Sequence, residues 1–230
     1  MKPDPSLPRL YVEGLNDCRV ICALMNELGM DLNEKNGPVI VEPKGSCLEL
    51  LNKFSVTFKS AQSFGNPVGY VFDWDRPEDN RRCQLQERFR ALGCELTDSD
   101  FAEDGIIKEV DGIIVGVWLM PNAAAYSGKL EDFLRAMIPS SDPIFPKSRA
   151  YVDDVASSVS PESRFRDIDR EKADLHSWLA VQRNPGESYA LAITSHLLTV
   201  DSPVARRFHT WFCRLYGLDD GREIERRCGN

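Results

Sequence analysis

The chain has 230 residues, enough to bury a proper core, and its 28 Lys+Arg against 36 Asp+Glu leave a formal net charge of −8. That acidity excludes a protein that coats DNA by bulk charge, although a nuclease whose acidic site is neutralised by bound metal is compatible with it. The seven cysteines (18, 22, 47, 83, 94, 213 and 228) contain no C-x-x-C pair, which argues against a zinc site or disulfide scaffold and for free thiols in a reducing, cytoplasmic setting.

No stretch approaches the roughly twenty apolar residues of a membrane span, the first residues lack an apolar signal core, and no internal repeat is visible. In chain order, Leu10-Tyr11-Val12 reads as a short strand ending at Glu13, a carboxylate that needs a partner if the strand is buried. Asn16 is the expected cap of the following helix, with Asp17 in its first turn, where a negative charge suits the helix dipole. Val20, Ile21, Leu24 and Leu28 supply the buried face and Gly29 the stop. Residues 39–41 read as a second strand. Ser46 and Glu49 then open a helix whose stripe is Leu51, Phe54 and Phe58, and Lys44 before it reads as a surface lysine.

The most informative stretch is Val68-Gly-Tyr-Val-Phe-Asp-Trp-Asp-Arg-Pro77. Its continuous apolar run predicts a strand buried on both faces of a parallel sheet. Asp73 and Asp75 close it where open α/β sheets bind ligands, and the two-residue spacing lets them converge on one cation. Pro77 suits the first turn of the next helix, which buries Leu85, Phe89 and Leu92 and carries Arg81, Arg82, Arg88 and Arg90 on the other face. Those arginines read either as a solvated face or as a nucleic-acid contact. Asp111-Gly112, between two β-prone runs, is a hairpin signal, and the arm after it reads as a central strand ended by Pro121-Asn122. A helix is expected over 129–138, with Glu131 and Asp132 in its first turn. Beyond Pro139 only helices are expected, over 147–156, 167–181, 187–198 and 203–216, before a polar tail.

Three α/β units, a hairpin and a further helix place Glu13, Asp73 and Asp75 at one edge of one parallel sheet. Three acids there form a hard-cation site for Mg²⁺ or Mn²⁺, of the kind that serves phosphoryl chemistry. Tyr11-Val-Glu-Gly-Leu-Asn-Asp17 and Phe72-Asp-Trp-Asp75 resemble the E-G-x-x-D and D-x-D motifs of the Toprim (topoisomerase–primase) superfamily. Val115-Gly-Val-Trp-Leu-Met-Pro-Asn122 with Gly128-Lys-Leu-Glu-Asp-Phe133 resembles a stand-alone Toprim-like family of unknown function, similar to the nuclease domain of overcoming-lysogenisation-defect proteins.

The resemblance implies a Toprim-like α/β domain over residues 1–140 with a helical C-terminal appendage over 141–230 packed on it. It further implies a metal-dependent phosphodiester site. Glu13 would be metal ligand or general acid–base; Asp17, Asp73 and Asp75 would be ligands; Glu131 would hold a second metal; and Lys172 would stabilise transition-state charge. The implied partner is DNA or RNA. Because the chain holds no G-x-x-x-x-G-K-[ST], any ATPase partner is a separate chain. Two other readings compete: a non-catalytic regulatory or partner-binding protein, which the acidic surface supports, and a haloacid-dehalogenase-type phosphatase, whose D-x-D expects Thr or Val where Pro77 stands.

Overall fold

The computed structural model describes residues 4–32, 37–75, 80–102, 104–122, 125 and 127–219. Strands β1 (Arg9–Val12), β2 (Ile40–Pro43), β3 (Val68–Asp73), β4 (Ile106–Val110) and β5 (Ile113–Met120) form one sheet in the order β2-β1-β3-β5-β4. All neighbours run parallel except β4, which pairs antiparallel with β5. The helices are α1 (Leu15–Glu27), α2 (Cys47–Phe64), α3 (Arg81–Arg90), α4 (Leu130–Arg135), α5 (Phe145–Ser158), α6 (Arg170–Ala180), α7 (Tyr189–Thr194) and α8 (Pro203–Tyr216). No helix among the described residues is long and apolar enough to cross a membrane.

Local chemistry explains most boundaries. Ser46 caps α2 by accepting the Glu49 N–H at 3.2 Å, and Gly65 ends it in the left-handed region. Ser202 caps α8 in the same way, with Pro203 at the first helical position. Asp111 and Gly112 both take positive φ (48° and 77°), which matches the twist of the two strands they join. The expected Asn16 cap is wrong by two residues. Gly14 is the N-cap, and its N–H is satisfied from inside the helix by Asp17 Oδ2 at 3.0 Å. Lys44 is not a free surface lysine either, because it pairs with Glu42 at 2.5 Å and lies over the Tyr11 ring. Pro77 lies outside the described residues, and α3 starts later than expected, at Arg81.

Side-chain alternation along the strands builds two cores. Tyr11, Tyr70, Phe72, Val117 and Leu119 face α2 and α3, where Leu51, Phe54, Phe58, Leu85 and Phe89 are buried. Leu10, Val12, Val71, Trp118 and Met120 face the other way, into a core completed by α1, α4 and the C-terminal helices. Trp118, Phe208 and Trp211 pack there edge-on and tilted, with ring centres 5.2–5.6 Å apart. A buried carboxylate ties three helices of this layer together. Asp174 of α6 accepts from Arg170 at 3.2 Å and pairs with Arg135 of α4 at 3.8 Å and Arg149 of α5 at 4.0 Å.

Helix α8 sits directly on the sheet because two glycines, Gly69 of β3 and Gly116 of β5, lie side by side beneath it. A Cβ on Gly116 would stand 2.5 Å from Leu215 Cδ2 and 3.0 Å from Trp211 Cζ2. Gly116→Ala is therefore expected to cost about 1–3 kcal/mol by overpacking. Leu215→Ala on its own is expected to cost about 2–5 kcal/mol through a cavity. In urea unfolding the double variant should lose less than the sum of the two, because the alanine at 116 fills space that Leu215 vacates. Strict additivity would show that α8 is not seated on Gly116.

Candidate functional site

The chain builds β2 on one side of β1 and then crosses to place β3 on the other side. In open parallel sheets the gap outside the C-terminal ends of strands at such a reversal is where ligands bind. Glu13 follows the last residue of β1, and Asp73 is the last residue of β3. They meet across the gap, where the Asp73 N–H donates to Glu13 Oε1 at 3.0 Å. Asp73 Oδ1 in turn accepts the Leu130 N–H at 2.9 Å, which docks the first turn of α4 onto the end of β3. Asp17 lies alongside on the first turn of α1, buried and committed by one oxygen to Gly14.

Asp75 reaches the site by a different route from the one its spacing suggests. Period-two alternation carries through Trp74, which is buried in the same core as Tyr70 and Phe72, with its indole donating to the Asn122 carbonyl at 3.0 Å. Asp75 then adopts a left-handed backbone (φ 57°), fixed by two hydrogen bonds with Gly128 at 2.9 and 3.1 Å. Gly128 has φ +124°, and a Cβ there would meet Pro121 at 2.6 Å, so this anchor depends on a glycine.

Arg81 completes the arrangement, and it corrects the expected solvent-facing row of arginines on α3. Only 5 % exposed, it folds back into the site. Its Nε donates to the Asp73 carbonyl at 3.0 Å, one terminal nitrogen donates to Gln84 at 2.7 Å, and the other binds Asp75 Oδ2 at 2.5 Å. Arg82 is also occupied, paired with Asp98 and lying over Phe101. Arg81 and Arg82 are thus each committed to partners within the protein, and Arg81 leaves the expected row. Nothing in the sequence separated Arg81 from its neighbours, apart from its position eight residues after Asp73 at a helix start.

The carboxylates crowd one another electrostatically. Burial raises the Glu13 pKa to about 7; the Asp73 N–H and Arg81 oppose the rise, while the Asp75 and Asp17 charges add to it. Burial likewise lifts Asp17 to about 6, with Glu131 adding repulsion. Asp73 is pushed well above the usual carboxylate range by burial and then by Glu13, Asp17, Asp75 and Glu131 together. The Cys47 thiol, at the start of α2, rises to about 12 through burial and the Glu13 charge beside it, so it is held neutral. Glu131 lies on the first turn of α4, where the Tyr189 hydroxyl, shared with His176 at 3.2 Å, donates to it at 3.4 Å. Its neighbour Asp132 instead closes the helix start by accepting the Lys129 N–H at 3.0 Å.

Five expected acids, Glu13, Asp17, Asp73, Asp75 and Glu131, thus fall within one electrostatic neighbourhood. Lys172 does not join them. It is exposed on α6, makes no hydrogen bond or ion pair with these acids, and its charge acts on Asp169 and His176 instead.

Residues 8–217 match the model of a family described as a protein of unknown function (DUF3226). The chain belongs to that family. The matched span runs from the start of β1 to the end of α8, so it takes in the acid cluster and both cores. No curated protein and no solved structure matches the chain.

Carboxylate oxygens are the ligand class of Mg²⁺ and Mn²⁺ rather than of zinc or copper, and a divalent cation would offset both the burial and the repulsion that raise these pKa values. Among the described residues, however, no three His, Cys, Asp or Glu side chains stand in a metal-holding arrangement, and Asp75 is turned toward Arg81. The donor set fits a hard cation in kind, with Asp75 engaged elsewhere.

The raised Glu13 pKa has a testable sign. The folded protein binds this proton more tightly than the unfolded chain does. Its contribution is therefore fully present below pH 4.5 and is lost as pH rises toward 7. Asp73 and Asp17 act in the same direction. In EDTA, the thermal midpoint of the protein should fall from about pH 5 to about pH 8, and Glu13→Gln should flatten part of that fall. A wild-type midpoint that stayed level or rose over this range would place Glu13 in solvent.

Proposed function

We propose that this protein is a Mg²⁺- or Mn²⁺-dependent phosphodiesterase of Toprim type acting on nucleic acid. The observation that carries the reading is the meeting of Glu13 and Asp73 across the β1/β3 gap, with Asp17, Asp75 and Glu131 gathered around them. The E-G-x-x-D and D-x-D resemblance supports it from the sequence side.

Glu13, Asp73 and Asp75 would hold the cation, with Asp17 beside them and Glu131 toward a second one. When bound, such a cation supplies charge neutralisation at the phosphate and a lowered cost of ionising water. The chain's own residues would do the rest. If Glu13 stands free of the cation, its buried carboxyl, raised in pKa by desolvation, could instead take or give a proton. The Asp73 N–H holds that carboxyl in place, and Leu130 N–H does the same for Asp73. The fixed backbone of Asp75 brings a further carboxylate to the same opening. Arg81 presents a guanidinium at the acid cluster, suited to an anionic oxygen as well as to Asp75. Lys172 has no part in this account.

The test is cleavage of single-stranded, duplex and supercoiled DNA and of RNA by purified protein with Mn²⁺. Asp73→Asn keeps the Oδ1 acceptor for Leu130 but removes charge, so the fold should hold. Activity should drop by about 100-fold or more, beyond what loss of an outer partner costs. Equal cleavage by the variant would reveal a contaminating nuclease. Inactivity of the wild type on all four substrates, with Mn²⁺ bound, would replace this reading with that of a regulatory metal protein.

A further inference from the structure

Arg81 is held more tightly than an ion pair at a site mouth requires. Its guanidinium makes three hydrogen bonds of 2.5 to 3.0 Å, to Asp75, Gln84 and the Asp73 carbonyl, and it lies 5.9 Å from the Phe72 ring centre. It occupies the first position of α3 and is 5 % exposed. Two of its three anchors, Asp73 O and Gln84, do not involve the carboxylates. The guanidinium would therefore stay in place if Asp75 turned away. Asp75 has the opposite construction. Its backbone is locked to Gly128, and its carboxylate, with Oδ2 on Arg81, has only side-chain rotation left to it.

We infer that Arg81 is the internal counter-ion of the D-x-D pair, competing with a divalent cation for Asp75. The inference rests on the metal reading above and adds a residue that sets the affinity of that site. A fixed positive charge this close both repels an incoming cation and withholds one of its ligands. Cation binding then requires the Asp75 carboxylate to rotate from the guanidinium toward Glu13 and Asp73. The rotation leaves a fixed guanidinium N–H pair beside the site, available to an anionic oxygen. A purely structural arginine, holding the start of α3 to the end of β3, would have no effect on cation affinity.

The experiment is isothermal titration of MnCl₂ into wild type, Arg81→Gln and Gln84→Met, with folding checked by circular dichroism. Arg81→Gln should bind Mn²⁺ roughly five- to ten-fold more tightly, because a unit positive charge and a competitor for Asp75 are both removed. Gln84→Met loosens the guanidinium without touching an acid and should tighten binding in the same direction, by about two-fold. Equal or weaker binding in Arg81→Gln than in wild type would overturn the inference and leave the metal reading standing. Absence of Mn²⁺ binding in all three proteins would overturn both. If Arg81→Gln fails to fold, Gln84→Met decides alone: tighter binding supports the competition, and unchanged binding ends it.

Discussion

The arrangement at the sheet edge depends on keeping several carboxylates together in a partly desolvated gap. Like charges so placed repel, and burial makes each ionised form costlier still. The protein meets this with directed donors. The Asp73 N–H points at Glu13, the Leu130 N–H at Asp73, the Gly14 N–H at Asp17 and the Arg81 guanidinium at Asp75. Each donor belongs to a different segment. The site is therefore where the end of β3 and the starts of α1, α3 and α4 are held in register, and its stability is inseparable from theirs. These donors only partly offset burial and repulsion, which together keep the pKa values of Glu13, Asp17 and Asp73 raised. The remaining strain is electrostatic, and a bound cation or proton can draw on it.

Much of this was legible from the residues alone. The apolar run before Asp73 reads as a buried parallel strand because nothing in it prefers solvent, and β3 is such a strand. Asp111-Gly112 specifies its turn through the positive φ both residues tolerate. The acids at strand ends were visible for the same reason, since an ionised group closing an apolar run has few other places to be. The strand order was not visible. Residue spacing says that β1, β2 and β3 are parallel, but not that the chain reverses direction across β1. That reversal is what creates the gap between Glu13 and Asp73.

Where the sequence misled, a local rule had been extended past its range. Alternation predicts convergence of Asp73 and Asp75 only while the extended backbone continues, and the left-handed turn at Asp75 (φ 57°) ends it. Arg81 looked like its neighbours because a charged helix start carries no mark of which side chain folds inward. That choice is made by the Asp73 carbonyl, which no period links to Arg81, together with Gln84 one helical turn on. Gly69 and Gly116 gave no warning of α8 for a similar reason: one lies 146 and the other 99 residues before Leu215 (215 − 69 and 215 − 116).

The seating of α8 also has a consequence for how the molecule is made. The hydrogen bond from the Tyr216 hydroxyl to the Arg9 carbonyl joins residues 207 positions apart, so the first strand is sealed by the last described helix. During synthesis, the central strands emerge with one apolar face, including Leu10, Val71 and Trp118, waiting for a lid still inside the ribosome. Closing so long a chain loop makes completion of that face a late step, and until then the nascent sheet is exposed to chaperones and to aggregation. A protein cut short before α8 would keep the acid cluster in its sequence and lack the part of this layer seated on Gly69 and Gly116.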